Sequence, residues 1–121
     1  MRRDRQIGTV RLASGVTLAY SRRGEPSGVP VLLLHAWGES LGCFDRLFPL
    51  LPAAMDVLAM DQRGHGDADK TAGGYTLMDV AADVEAFMDA MDLKSAVLLG
   101  SSSGGSVAQQ VAIGIPHRVT T

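Results

Sequence analysis

Val97-Leu98-Leu99-Gly100-Ser101-Ser102-Ser103-Gly104-Gly105-Ser106-Val107-Ala108 is the stretch from which the fold can be read. Residues 96–99 form an apolar run of strand length that breaks into a Gly/Ser turn. Val107, Ala108, Val111 and Ala112 then recur at helical spacing, with Gln109 and Gln110 off that face. Inside the turn lies Gly100-x-Ser102-x-Gly104, the spacing of a nucleophile elbow. A serine on so sharp a strand-to-helix turn crowds the residues two positions to either side, and glycine removes the Cβ that would clash. Its hydroxyl would stand clear of the sheet, above the positive end of the following helix. The register selects Ser102, because Ser101 would need glycine at Leu99 and Ser103 would need it at Ser101.

A Gly/Ser-rich strand-to-helix turn can also cradle a phosphate. A P-loop needs a Lys-Ser/Thr pair where this chain has Ser106-Val107, and no G-x-G-x-x-G dinucleotide pattern fits. An ordinary flexible loop has the same composition, so the turn must be read with the rest of the chain.

The chain has 121 residues, enough for one domain with a modest core. Apolar residues make up 46% and charged residues 20%, as in ordinary globular proteins. A net charge of −2 supplies no basic field for nucleic acid. Cys43 is the single cysteine, which rules out an intrachain disulfide and favours a reducing compartment. Arg2, Arg3 and Arg5 are followed by Gln6-Ile7-Gly8-Thr9 rather than an apolar run, so no secretory signal is expected, and no stretch reaches transmembrane length.

Ile7, Val10 and Leu12 alternate loosely, Ser14-Gly15 makes a turn, and Val16, Leu18 and Tyr20 alternate cleanly, which predicts a β-hairpin. Residues 22–28 read as a polar loop, and 29–34 as a strand buried on both faces. Phe44, Leu47, Phe48 and Leu51 suggest a short helix limited by Pro49. Residues 56–60 form another apolar strand and end in the polar loop 61–70. The clearest helix starts at Thr76, with Asp79 completing a capping-box pattern and a stripe of Leu77, Val80, Ala81, Val84, Phe87, Met88 and Met91. Asp79, Asp83, Glu85 and Asp89 lie off that stripe and read as a solvated acidic face. Alternating strands and helices predict an α/β fold, a parallel sheet with helices on both faces. Ligands of such sheets bind outside the carboxyl ends of the strands, where the loops at 35–40, 61–74 and 100–104 converge.

Three blocks in order, Leu32-Leu33-Leu34-His35-Ala36-Trp37-Gly38, Asp61-Gln62-Arg63-Gly64-His65-Gly66 and Gly100-Ser101-Ser102-Ser103-Gly104-Gly105, make the chain resemble the N-terminal part of the α/β-hydrolase fold family, of serine esterase or lactonase type. The resemblance runs from about Val16 to the end. It implies a partial α/β-hydrolase fold: a mostly parallel sheet in order 1-2-4-3-5, its first two strands antiparallel, flanked by helices, with the C-terminal half missing. Residues 1–121 would be a single incomplete domain, with the hairpin at 6–21 and the elbow at 100–104. Ser102 would be the nucleophile, flanked by the elbow glycines Gly100 and Gly104. The backbone N–H groups of Ser103 and Trp37 would form the oxyanion hole. His35 and Arg63 would be structural supports of their loops, and His65 has the same reading. The Trp37 side chain would be a core anchor or would line an acyl site, and Cys43 a small buried residue. A small-molecule acyl substrate is implied, an ester or lactone, in the cytoplasm, without cofactor, metal, nucleic acid or membrane; the oligomeric state is left open.

Two departures stand out. The family's usual His-Gly pair is His35-Ala36 here, and a positive φ at that position would strain alanine. The family's acid and histidine follow later strands, and neither is present. A helix of about ten residues at roughly 1.5 Å each would carry His117 about 15 Å toward the opposite edge. The chain is therefore expected to be a truncated, inactive nucleophile half, with its fifth strand exposing an apolar edge. Residues 61–70 also resemble epoxide hydrolases and haloalkane dehalogenases, whose nucleophile is an aspartate, and Ser102 speaks against them. The alternative of another class is a non-catalytic hydrolase-fold binding or interaction module.

Overall fold

A computed structural model describes residues 5–120; Arg2 and Arg3 of the basic N-terminus lie outside them. In chain order the elements are β1 (Gln6–Arg11), β2 (Thr17–Gly24), β3 (Pro30–Leu34), β4 (Asp56–Asp61), α1 (Leu77–Ala90), β5 (Val97–Gly100) and α2 (Ser103–Gly114). The sheet order is β1-β2-β4-β3-β5, as the resemblance implied. β1 and β4 both pair antiparallel with β2, and β3 pairs parallel with both β4 and β5. The hairpin's second strand is thus the one reversed strand.

β3 and β4 sit mid-sheet because their residues are apolar on both faces. Leu32, Leu34, Leu58 and Met60 point to one face, where Val84, Phe87, Val107 and Val111 of the two helices meet them. Val31, Leu33, Val57 and Ala59 point to the other, closed by Phe44 and Phe48. Each such fully buried side chain contributes about 1.5–3 kcal/mol. Helices were expected on both faces; among the described residues both α-helices pack on one, and 3-10 turns at Leu41–Phe44 and Phe48–Leu50 cover the other. Pro49 keeps the second of these short.

Four further readings are corrected. β2 continues through Arg22, Arg23 and Gly24, because Arg22 finds Asp56 on β4 (Nε–Oδ1 2.8 Å, Nη2–Oδ2 2.7 Å). Cys43 is exposed rather than buried. Asp83 is not part of a solvated face: it is 4% exposed and holds Arg63 through two hydrogen bonds. The outer side of β5 is partly covered, since residues 118–120 turn back along it, with Ala96 N–H donating to Arg118 O (3.0 Å) and Thr120 N–H to Ala96 O (2.9 Å). The expected apolar edge persists at Leu99, 39% exposed. The capping box forms as predicted: the Thr76 hydroxyl accepts from Asp79 N–H and the Asp79 carboxylate from Thr76 N–H, both at 3.1 Å.

Candidate active site

The turn from β5 into α2 places Ser102 at φ 54°, ψ −117°, a left-handed conformation that a side-chain-bearing residue adopts only under constraint. The constraint is steric. A Cβ on Gly100 would lie 2.3 Å from the Gly104 carbonyl carbon, and one on Gly104 2.2 Å from Leu34 O, so strand and helix approach closer than any other residue allows. Ser101 N–H donates to Leu34 O (3.0 Å), tying the turn to β3. Ser102 is exposed at the carboxyl edge of the sheet. Ser103 begins α2, where the first N–H groups have no intrahelical acceptor.

The loop after β3 meets the elbow there. Trp37 N–H donates to the Ser103 hydroxyl at 2.6 Å, and Gly38 N–H donates to His65 Nε2 at 2.9 Å. The positive φ of this loop falls on Gly38 (86°); Ala36 is not among the positive-φ residues, so the strain expected there is absent. Nor is Trp37 a core anchor. Its side chain is 62% exposed, edge-on to the rings of His65 (centroids 4.6 Å) and Tyr75 (5.7 Å).

Hydrogen bonds fix the state of both nearby histidines. His35 Nδ1 faces Ala36 O at 2.8 Å while Gln62 N–H donates to Nε2 at 3.0 Å. A carbonyl can only accept and an amide N–H only donate, so His35 is neutral with its proton on Nδ1. Burial lowers its basicity, opposed by the Ala36 carbonyl and reinforced by His65. His65 repeats the arrangement, with Nδ1 2.9 Å from Arg63 O and Nε2 occupied by Gly38 N–H. Neither ring has a lone pair to spare for a proton from Ser102. His117 lies in the 3-10 turn Pro116–Arg118, beyond the far end of α2.

The loop after β4 locks the site from below. Asp61, 3% exposed, accepts from Leu41 N–H (2.7 Å) and Asp67 N–H (2.9 Å), joining two loops. Gln62 donates its side-chain amide to His35 O at 2.8 Å. Arg63 grips Asp83 of α1 at 2.9 and 2.8 Å, which holds its guanidinium more firmly protonated than usual. An open cleft of about 470 Å³ lies between Trp37, Glu39, His65 and Tyr75, beside a cavity of about 200 Å³ reached by Ser103 and Ser106. Gln62, Tyr75 and the Ser103 hydroxyl had no signal in the sequence. Polar or aromatic residues in loops are common, and only the contacts of Gln62 with His35, Tyr75 with Trp37 and Ser103 with Trp37 single these out.

Comparison with known proteins agrees with this fold. The alpha/beta hydrolase fold family matches residues 29–121, and the chain belongs to that family. It is similar to a non-heme chloroperoxidase of Streptomyces lividans (38% identical over 115 residues, 93% of this chain and 42% of the relative). It is also similar to a probable serine hydrolase of Drosophila melanogaster (33% identical, 79% of this chain and 30% of the relative). Among solved structures, a hydrolase from Pseudomonas aeruginosa superposes with a TM-score of 0.88 at 32% identity, covering 94% of this chain and 43% of that one. The chain thus spans less than half the length of each of these three proteins.

Proposed function

We propose that this chain is the nucleophile half of a serine hydrolase that cleaves small esters or lactones. The observation that carries the reading is the backbone of Ser102: φ 54° on a residue with a side chain, imposed by Gly100 and Gly104, at the edge where two loops converge. The names of its relatives do not decide the reaction, since they include a chloroperoxidase, a dioxygenase and serine hydrolases; function belongs to the site and not to the fold. In the mechanism Ser102 Oγ adds to the substrate carbonyl, and donors at Ser103 and Trp37 stabilise the resulting oxyanion. His35 and Arg63 support the loops. A base and an orienting acid from outside these 121 residues complete the machinery, since both histidines at this edge already use their Nε2 lone pairs. The cleft at Trp37 and Tyr75 receives the acyl or alcohol part, and no cofactor enters the mechanism. One cysteine fits a reducing compartment, and a cytoplasmic location belongs to the same reading. No helix among the described residues is long and apolar enough to cross a membrane.

The test is turnover of p-nitrophenyl acetate and of a small lactone by the complete enzyme. Ser102→Ala should lower kcat by about a million-fold, as loss of a nucleophilic serine does elsewhere. The 121 residues alone should give no multiple turnover. Turnover that survives Ser102→Ala in the complete enzyme would remove Ser102 as the nucleophile, and absence of turnover in the wild-type complete enzyme would leave the binding-module reading in its place.

A further inference from the structure

The bond from Trp37 N–H to the Ser103 hydroxyl joins residues 66 positions apart at 2.6 Å, at the place where a substrate oxygen would be expected to accept that N–H. A serine hydroxyl that accepts one hydrogen bond still has its own proton to give. Ser103 is exposed, and with Trp37, His65 and Ser106 it lines the 200 Å³ cavity, so that proton has open space to point into. We infer that the Ser103 hydroxyl is itself an oxyanion donor: it accepts the Trp37 N–H and turns its own O–H toward the substrate oxygen. The inference rests on the acyl-transfer reading above and changes one of its donors: the Trp37 N–H acts through the Ser103 hydroxyl and not on the oxyanion directly.

The chemistry balances without further reagents. As Ser102 Oγ bonds to the carbonyl carbon, the π pair moves to the carbonyl oxygen and the Ser102 proton goes to the base supplied from outside this chain. Ser103 loses no proton; its O–H and its backbone N–H bond to the same oxyanion. The Trp37 N–H behind it polarises the hydroxyl, which makes it a stronger donor than a free serine. Trp37 thereby acts through Ser103, and its own N–H is never left unpaired when substrate departs. Ser103 is then a catalytic residue, while His65 positions it by holding the adjacent Gly38 N–H.

Steady-state kinetics of the complete enzyme on p-nitrophenyl acetate, for wild type, Ser103→Ala, Ser103→Thr and Ser102→Ala, tests this. Ser103→Ala should lower kcat about 100-fold, the effect of losing one oxyanion donor, and leave KM within about threefold. Ser103→Thr, which keeps the hydroxyl, should recover most of the loss. In the complete enzyme, the Trp37 amide proton should move upfield in Ser103→Ala while amides of β2 and β4 stay in place. If Ser103→Ala turns over as fast as wild type or faster, the hydroxyl is a plug that substrate displaces and the inference is overturned; an unmoved Trp37 amide overturns it equally. Absence of any Ser102-dependent turnover in wild type would instead remove the acyl-transfer reading, and this inference with it.

Discussion

Two loops that meet at one sheet edge are held there by different means. At the elbow local restraints, Gly104 N–H to Ser101 O (2.9 Å), Gly105 N–H to Ser102 O (2.8 Å) and Gly100 against the Gly104 backbone, are joined by the close steric approach of Gly104 to β3. The Trp37 loop is held from a distance, Gly38 by His65 across 27 residues and Trp37 by Ser103 across 66. Local steric restraint makes a rigid, strained serine. Long-range hydrogen bonding holds the Trp37 loop, whose position depends on His65 and Ser103. One site thus has a side set by covalent geometry and a side set by protonation and packing.

The sharpest way to break that comparison is at the elbow itself. In Gly104→Ala the new Cβ would meet backbone oxygens of Leu34 and His35 at 2.2 and 2.8 Å, neither of which can move without displacing β3. Thermal or urea unfolding should show a loss of more than about 3 kcal/mol, the scale of severe overpacking. A wild-type midpoint would show that the approach of α2 to β3 is softer than described.

His65→Ala probes the other loop. It removes the acceptor of Gly38 N–H and the ring beside Trp37, at a cost of about 1 kcal/mol in global stability. Amide exchange at Gly38 and Trp37 should accelerate while Gly104 and Gly105 keep wild-type protection. Equal acceleration at both loops would mean that they are not independently held.

Acid should act on the same side. His35 is less basic folded than unfolded, because burial favours the neutral ring. The unfolded chain therefore takes up the proton first, so stability is complete above the unfolded value of about 6.5 and is lost as pH falls toward the lower folded value. Unfolding free energy measured from pH 7.5 downward should drop in wild type and drop less in His35→Asn. Parallel pH profiles would remove His35 as the acid-sensitive group.

The smallest effect is a gain. Ser102→Gly should relieve part of a strain of about 1–3 kcal/mol, offset by the roughly 0.5–1 kcal/mol entropic cost of glycine, for a net stabilisation of about 1 kcal/mol. A less stable variant would show that the Ser102 conformation is not strained.

The amino-acid sequence by itself determined the elbow, the buried strands β3 and β4 and the capped helix α1, because each follows from local rules: glycine spacing around one serine, apolar runs of strand length, and a 3.6-residue stripe behind a Thr-Asp cap. The strand order came from a resemblance in three blocks and not from periodicity, which carries no information about which strands become neighbours. Tertiary structure alone decided the rest. Asp83 was read as solvated from its place on the helix face, yet Arg63 arrives from another loop and buries it. Trp37 was left open between a core anchor and a residue lining the site, and it stands at the cleft because its loop is fixed by Gly38, His65 and Ser103. The Ser103 hydroxyl was one of three adjacent serines until folding placed a backbone N–H against it. Sterics and periodicity act within a few residues and are written in the chain; a hydrogen bond between loops exists only once the sheet has brought them to the same edge.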